Sequence, residues 1–199
     1  MAFLITASLY NAYRYYAESS FEGTPESDLK ARQDFLNVLN KVPVPPTEAI
    51  QKGIDFENEI YAMTNKGIES QDPCVREIAE IVKGGYWQQV VQKRVGDYLL
   101  YGKADVIKGN KIFDIKYTGH YDTGKFEGSI QHLLYMECTP IEEFEYLVSD
   151  RKEVWTESYF KQPDNTQILL GRINTMVNFI NKTPEFAQAF AAHWTAKGK

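Results

Sequence analysis

Apolar positions recur at two different periods along this chain, and the changes of period divide it into three parts. Near the start Leu9, Ala12, Tyr13 and Tyr16 lie three or four residues apart, which puts them on one face of a helix. The tyrosines on that face read as core packing rather than as a platform for stacked bases. Thr24-Pro25-Glu26 supplies an N-cap and a proline at the first helical position. It predicts a second helix to about Asn40 with Leu29, Leu36 and Leu39 on its apolar face. Val42-Pro43-Val44-Pro45-Pro46 ends that helix. A third is predicted from about Thr47 to Asn65, closed by Gly67, and a fourth from Pro73 to Lys83, capped by Asp72 and stopped by Gly84-Gly85.

The period then drops to two. Residues 87–95, 98–108 and 111–117, separated by Gly96-Asp97 and Gly109-Asn110, read as a three-strand antiparallel meander. A helix is expected over 126–138, strands over 144–149 and 153–160, and closing helices over 165–181 and 184–196. No repeat or linker interrupts this order. It predicts a single domain over 1–199 with its core at about 47–160, of the mixed α/β (α+β) class, in which helices flank a central sheet.

The second hairpin of the meander brings charges together. A two-residue Gly109-Asn110 turn pairs Lys108 with Lys111; counting outward sets Asp105 across from Asp114, and Lys103 across from Lys116. Carboxylates directly opposed on neighbouring strands repel, so such a pair persists when something positive lies between them. Alternation assigns Ala104, Val106, Phe113, Ile115 and Tyr117 to a core face. Asp105, Ile107, Ile112, Asp114 and Lys116 fall on the other, which is apolar near the turn and ionisable away from it. That second face suits a cleft with water-excluding walls. Two acids and a lysine on rigid strands are the parts of a divalent-metal hydrolytic site, the acids holding a hard cation and the lysine orienting or helping to deprotonate water. A surface hairpin with a chance salt-bridge cluster is the alternative.

Two further elements converge on the hairpin. Ile50, Ile54, Glu57 and Tyr61 share a helical stripe, so Glu57 is expected to face the sheet, whereas Glu59 shares a solvated face with Lys52, Asp55 and Lys66. Gln131 and Tyr135, spaced i, i+4, point the same way from adjacent turns.

Composition narrows the classes. With 43% hydrophobic and 25% charged residues in 199, the chain is an ordinary globular one. Its two cysteines, Cys74 and Cys138, exclude a disulfide framework and a protein-supplied iron–sulfur cluster. The apolar opening is too short for a signal peptide, and no run approaches the roughly 20 residues that span a bilayer, so no membrane partner is expected and the cytoplasm is the expected location. The net charge is −5, yet residues 83–125 carry eight Lys/Arg against four Asp, +4, leaving −9 for the rest. A basic hairpin on an acidic body can guide a polyanion to one cleft. His120, His132 and His193 lack the context of a nucleophilic triad, although His120 lies just past the last meander strand.

The series Gly53-x-x-x-Glu57, Gly102-x-x-Asp105, Asp114-x-Lys116 and Gln131-x-x-x-Tyr135 resembles the PD-(D/E)xK nucleases of the RecB-like exonuclease group, over about residues 50 to 150. Ile5-Thr6-Ala7-Ser8-Leu9 before an aromatic-rich helix also looks like the opening of several RecB-like proteins. The resemblance implies a restriction-endonuclease-like core and a Mg²⁺- or Mn²⁺-dependent deoxyribonuclease, an exonuclease by preference, without an iron–sulfur cluster. It implies that Asp105, Asp114 and the Ile115 carbonyl bind metal and that Glu57 completes the shell. Lys116 then positions and activates water, and Gln131 and Tyr135 engage DNA, with Lys103 beside them. DNA is the expected partner, and a homo-oligomer or a recombination partner protein is open, since lambda-type relatives close into rings. The competing expectation is a catalytically silent nucleic-acid-binding or host-interaction protein on the same fold.

Overall fold

A strand that the apolar pattern does not announce begins the fold. In the computed structural model, which describes residues 2–19 and 24–196, β1 (Ala2–Ile5) leads into α1 (Ala7–Ser19), α2 (Pro25–Leu39), α3 (Glu48–Lys66) and α4 (Pro73–Val82). The meander follows as β2 (Tyr86–Val95), β3 (Tyr98–Lys108) and β4 (Lys111–Tyr117). Then come α5 (Gln131–Cys138), β5 (Glu143–Ser149), β6 (Val154–Phe160), α6 (Asn165–Asn181), α7 (Pro184–His193) and β7 (Thr195–Ala196). The expected caps are in place. Thr24 and Thr47 accept from the N–H groups of Ser27 and Ile50, Asp72 accepts from Cys74 and Val75, and Gly67 ends α3 at φ 67°.

Two helix boundaries differ from the sequence reading. The helix expected from 126 begins at Gln131, because the Phe126 N–H is taken by a Glu157 carboxylate oxygen at 3.2 Å and Ser129 Oγ accepts from Gln131 N–H at 3.1 Å. The last helix ends at His193 rather than at 196, because Thr195 and Ala196 pair with Phe3 and Ala2.

All seven strands join one mixed sheet of order β6-β5-β4-β3-β1-β7, with β2 paired to the other edge of β3. The Gly109-Asn110 turn sets the expected register, Lys108 opposite Lys111 and Val106 opposite Phe113. There the ladder stops, so the backbone pairing expected between Asp105 and Asp114, and between Lys103 and Lys116, is not made. The same edge of β3 pairs in parallel with β1 only through Leu100. Residues 101–105 therefore have no strand partner on that edge, and a gap opens in the middle of the sheet.

Helices cover both faces. Phe56 and Ile60 of α3, with Ile78 and Val82 of α4, pack on Val106, Phe113, Ile115 and Leu147. The opposite face, with Leu100, Ile112, Phe144 and Tyr146, lies under α1, α2, α5, α6 and α7. Tyr13 and Tyr16 pack with Phe35, Phe179 and Phe186, as the core reading of α1 expects. Leu29 and the Ile50/Ile54 stripe, by contrast, stay exposed. On α3 the stripe of Phe56, Ile60 and Met63 has the same spacing, and its larger ring wins the contact with the sheet. Among the described residues no helix is long and apolar enough to cross a membrane.

Candidate active site

Asp105 lies where β3 changes phase. Leu100 and Ala104 belong to the core beneath α5, yet Val106 belongs to the core beneath α3 and α4, so Ala104 does not share the face of Val106 as simple alternation predicts. Opposite this point in β2, between the pairs Trp87–Val106 and Gln89–Ala104, Gln88 holds a left-handed φ of 54°. A non-glycine residue there is strained, and such strain concentrates at functional positions. With the ladder broken, the Asp105 side chain replaces it: Oδ2 accepts the Ile115 N–H at 2.9 Å. Asp105 is thereby tied to the strand that carries Asp114 and Lys116.

Asp114 is 1% exposed, beneath α5. Its Oδ1 accepts from Gln131 Nε2 at 2.5 Å, and its Oδ2 is ion-paired with the Lys116 ammonium. Withdrawal from water would pull the Lys116 ammonium down, but Asp114 and Asp105 outweigh it and hold the group above its usual range. Asp105 is pushed well up by desolvation and then by the charge of Asp114, against the pull of Lys116. Glu57 is raised by burial and by Asp114. Three acids thus feel one another around the Lys116 ammonium, with Lys103 acting on Glu57 as well.

Glu57 comes from α3, where it borders the Phe56 and Ile60 face, and its Oε1 accepts from Gln88 Nε2 at 2.7 Å. It approaches from the α3 side of the gap, close enough to couple electrostatically to Asp105 and Asp114. Among the described residues no three His, Cys, Asp or Glu side chains converge as a ready metal shell. Glu59 is not simply solvated: it accepts from Ser70 and pairs with Arg151, which also pairs with the cap residue Asp72.

On the α5 side the gap forms a cleft of about 390 Å³, lined by Lys103, Lys116, Gln131 and Tyr135 together with Thr6 to Ser8 and Asn11 of the α1 start. Thr6 Oγ1 caps α1 by accepting the Leu9 N–H at 3.1 Å. Tyr135 donates to the Lys103 carbonyl at 3.1 Å, a group that the missing strand partner leaves free. Burial and Asp114 push the Tyr135 phenol up to about 12, so it stays protonated. The structure thus brings Asp105, Asp114, Lys116, Gln131, Tyr135 and exposed Lys103 together, with Glu57 at the margin. His120 stays outside, exposed and paired with Asp122 at 3.0 Å. Gln88 had no signal in the sequence; the cleft role of Thr6 to Asn11 was signalled only by the Ile5-to-Leu9 opening.

No family profile and no curated protein sequence matches the chain. Solved structures share its fold. LHK-Exo in complex with dAMP superposes with a TM-score of 0.54 at 13% identity, over 94% of this chain and 93% of that one. The structure of LHK-Exo as an alkaline exonuclease from Laribacter hongkongensis gives 0.53 at the same identity. A candidate exonuclease from Eubacterium rectale gives 0.54 at 13% identity, over 98% of this chain and 90% of that one. The mixed α/β class expected from the sequence, helices flanking a central sheet with an antiparallel meander, is the fold observed, a seven-strand mixed sheet between helical layers.

Proposed function

We propose that this chain hydrolyses DNA phosphodiester bonds as a Mg²⁺- or Mn²⁺-dependent exonuclease. The observation that carries this reading is the placing of two acids and a lysine on adjoining strands at a break in the sheet, with the lysine lining a cleft. The donor set fits a hard divalent cation. Asp105 and Asp114 offer carboxylate oxygens, the Ile115 carbonyl lies on the same strand as Asp114, and Glu57 on α3 feels the charge of the same acids. The cluster is also short of positive charge, three carboxylates against Lys116 and the exposed Lys103, which is the electrostatic condition for taking up such an ion.

When bound, the ion supplies Lewis-acid polarisation of the phosphoryl oxygens and lowers the pKa of a water. The chain's own groups do the rest. Lys116, presented to the cleft and fixed by Asp114, donates to the attacking water or to the non-bridging phosphate oxygens. Gln131 fixes Asp114 through its amide, and Tyr135 holds the exposed backbone of β3 at Lys103 while turning its hydroxyl to the cleft. DNA as substrate is favoured by the likeness to an alkaline exonuclease captured with dAMP and by the locally basic hairpin.

Incubating end-labelled linear DNA with the protein and Mg²⁺ or Mn²⁺ tests the proposal. Mononucleotide release that disappears with EDTA and in Asp114→Ala supports it. If the wild type leaves linear DNA intact with both ions, the reading is wrong and a non-cleaving module on this fold takes its place. Cleavage of closed circular DNA would replace exonuclease by endonuclease action.

A further inference from the structure

The cleft beside Lys116 does not end at Gln131. A second, shallower depression of about 180 Å³ continues along the exposed side of α1, sharing Asn11, Phe126 and Ser129 with the cleft and adding Arg14, Tyr15, Glu18 and Lys125. Asn11 and Arg14 are one helical turn apart on the face that starts at Ala7, so the side chains form a row leading away from Lys116. At 1.5 Å per residue, the row from Ala7 to Arg14 runs about 10 Å. That is the scale of one to two nucleotides of a strand.

Arg14 is held in place here. A Cβ on Gly128 would come within 2.4 Å of the Arg14 Cζ and Nη1 atoms, so the guanidinium lies flat against the backbone of Gly128. The loop that presents Gly128 is itself fixed, since Arg172 donates to the carbonyls of Glu127 and Ser129 at 3.0 and 2.9 Å. Glu18 accepts from Arg14 Nε and Nη2 through one carboxylate oxygen and leaves Nη1 toward Gly128 and the groove. Lys125 donates to Thr118 Oγ1 and to the His120 carbonyl; among the described residues no carboxylate is ion-paired with it. Neither of its two partners neutralises its charge.

We infer that Asn11, Arg14 and Lys125 seat the phosphate next to the scissile one along the bound strand, a phosphodiester anion gripped by a guanidinium that its pairing with Glu18 holds in place and by an ammonium with no carboxylate partner among the described residues. This rests on the nuclease reading above. The glycine at 128 is part of the device, because any side chain there displaces the guanidinium while leaving the acids untouched.

Binding of a fluorescent dodecathymidylate, followed by anisotropy in EDTA across a salt series, tests the seat. Arg14→Gln raises Kd about tenfold and lowers the slope of log Kd against log salt by about 0.7, the loss of one phosphate contact on a single strand. Gly128→Ala moves in the same direction, Arg14→Lys retains the slope, and Lys125→Gln lowers it. Arg32→Gln, which removes a guanidinium paired with Glu185 on α7, serves as the control for net charge alone. Equal Kd and slope in wild type, Arg14→Gln and Gly128→Ala, with hydrolysis still dependent on Asp114, would overturn the seat and leave the nuclease reading standing. A shift as large in Arg32→Gln as in Arg14→Gln would also overturn it, as nonspecific charge. Failure of the wild type both to bind and to cleave would sink both.

Discussion

Tyr135 lies flat against Gly102: a Cβ added to that glycine would sit 2.1 Å from the Tyr135 Cε1 atom. The close approach explains why a glycine precedes Asp105 by three residues. The ring of α5 closes over the unpaired edge of β3 and reaches the Lys103 carbonyl only because nothing projects from position 102. Gly102→Ala is therefore expected to push α5 outward, at a cost of about 1–3 kcal/mol for overpacking. Because Gln131 sits one turn before Tyr135, the hydrogen bond to Asp114 is disturbed as well. Denaturant unfolding and nuclease assays on the variant should both show a loss; full activity with an unchanged midpoint would contradict the packing argument.

Lys116 is the cation paired with Asp114 and the one that offsets the charge of Asp105, so removing it has a predictable sign. Lys116→Met leaves Asp105 and Asp114 opposed without an ammonium. The expected destabilisation is about 1–3 kcal/mol, below that of a fully buried pair because the lysine side chain is 32% exposed. Mg²⁺ should recover part of this loss, since a ligand of the folded state stabilises by mass action. Scanning calorimetry with and without Mg²⁺ is the check: the rise in Tm on adding the ion is expected to be larger in Lys116→Met than in the wild type, while DNA hydrolysis is lost. A variant as stable as wild type and indifferent to Mg²⁺ would argue that the acids do not form a cation site.

Part of this site is legible from local residues and part is not. The turn at Gly109-Asn110 fixes a count, and the count puts Asp105 and Asp114 on adjoining strands; the i, i+4 spacing of Gln131 and Tyr135 likewise carries through to Asp114 and Lys103. The break in the sheet depends on β1 pairing with β3 almost a hundred residues later, through Phe3–Tyr98 to Ile5–Leu100, and no local pattern announces a pairing at that separation. Gln88 is invisible for a related reason, since a strained φ is imposed by the surroundings and glutamine is not a residue that signals it. On α3 two apolar stripes share one period, so periodicity could not decide between Ile50/Ile54 and Phe56/Ile60; the volume of Phe56 decided.

His132 adds a pH dependence that is independent of the acids. It is buried, stacked on Tyr159 with ring centroids 3.9 Å apart, and flanked by Phe144 and Tyr146. Burial, helped by the Arg172 charge, pulls its imidazole down to about 3. A histidine lowered in the folded state binds its proton more readily when unfolded, so the stability it confers is present above about pH 6.5 and is lost as pH falls below that. Between pH 7.5 and pH 5 the loss amounts to about 2 kcal/mol. His132→Phe keeps the ring stack and removes the titration. As pH falls from 7.5 to 5 the unfolding free energy of the wild type should drop by about 2 kcal/mol relative to His132→Phe, and parallel curves would show that His132 is not the group responsible.

Glu157 controls the loop over 118–130, which supplies Lys125, Phe126 and Ser129 to the cleft and its extension. Buried on β6, its carboxylate accepts from Tyr121 Oη at 2.8 Å, from the Phe126 N–H at 3.2 Å and from Tyr159 Oη. One acid thereby ties three donors to the sheet, two of them on the loop. Glu157→Ala leaves those donors without an acceptor in a region from which water is largely excluded, at a cost of about 1–3 kcal/mol. Glu157→Gln retains one acceptor oxygen and should cost less. Since the hydrogen bonds to Tyr121 and Phe126 anchor only this loop, opening should concentrate there rather than across the sheet. Limited trypsin digestion reads this out at the Lys125 bond, where cleavage is expected to accelerate in the order wild type, Glu157→Gln, Glu157→Ala. The affinity for single-stranded DNA should weaken in the same order, because Phe126 no longer keeps its place in the cleft and Lys125 its place in the extension. Faster cleavage spread evenly over the chain would mean that Glu157 supports the whole fold and does not act through the loop.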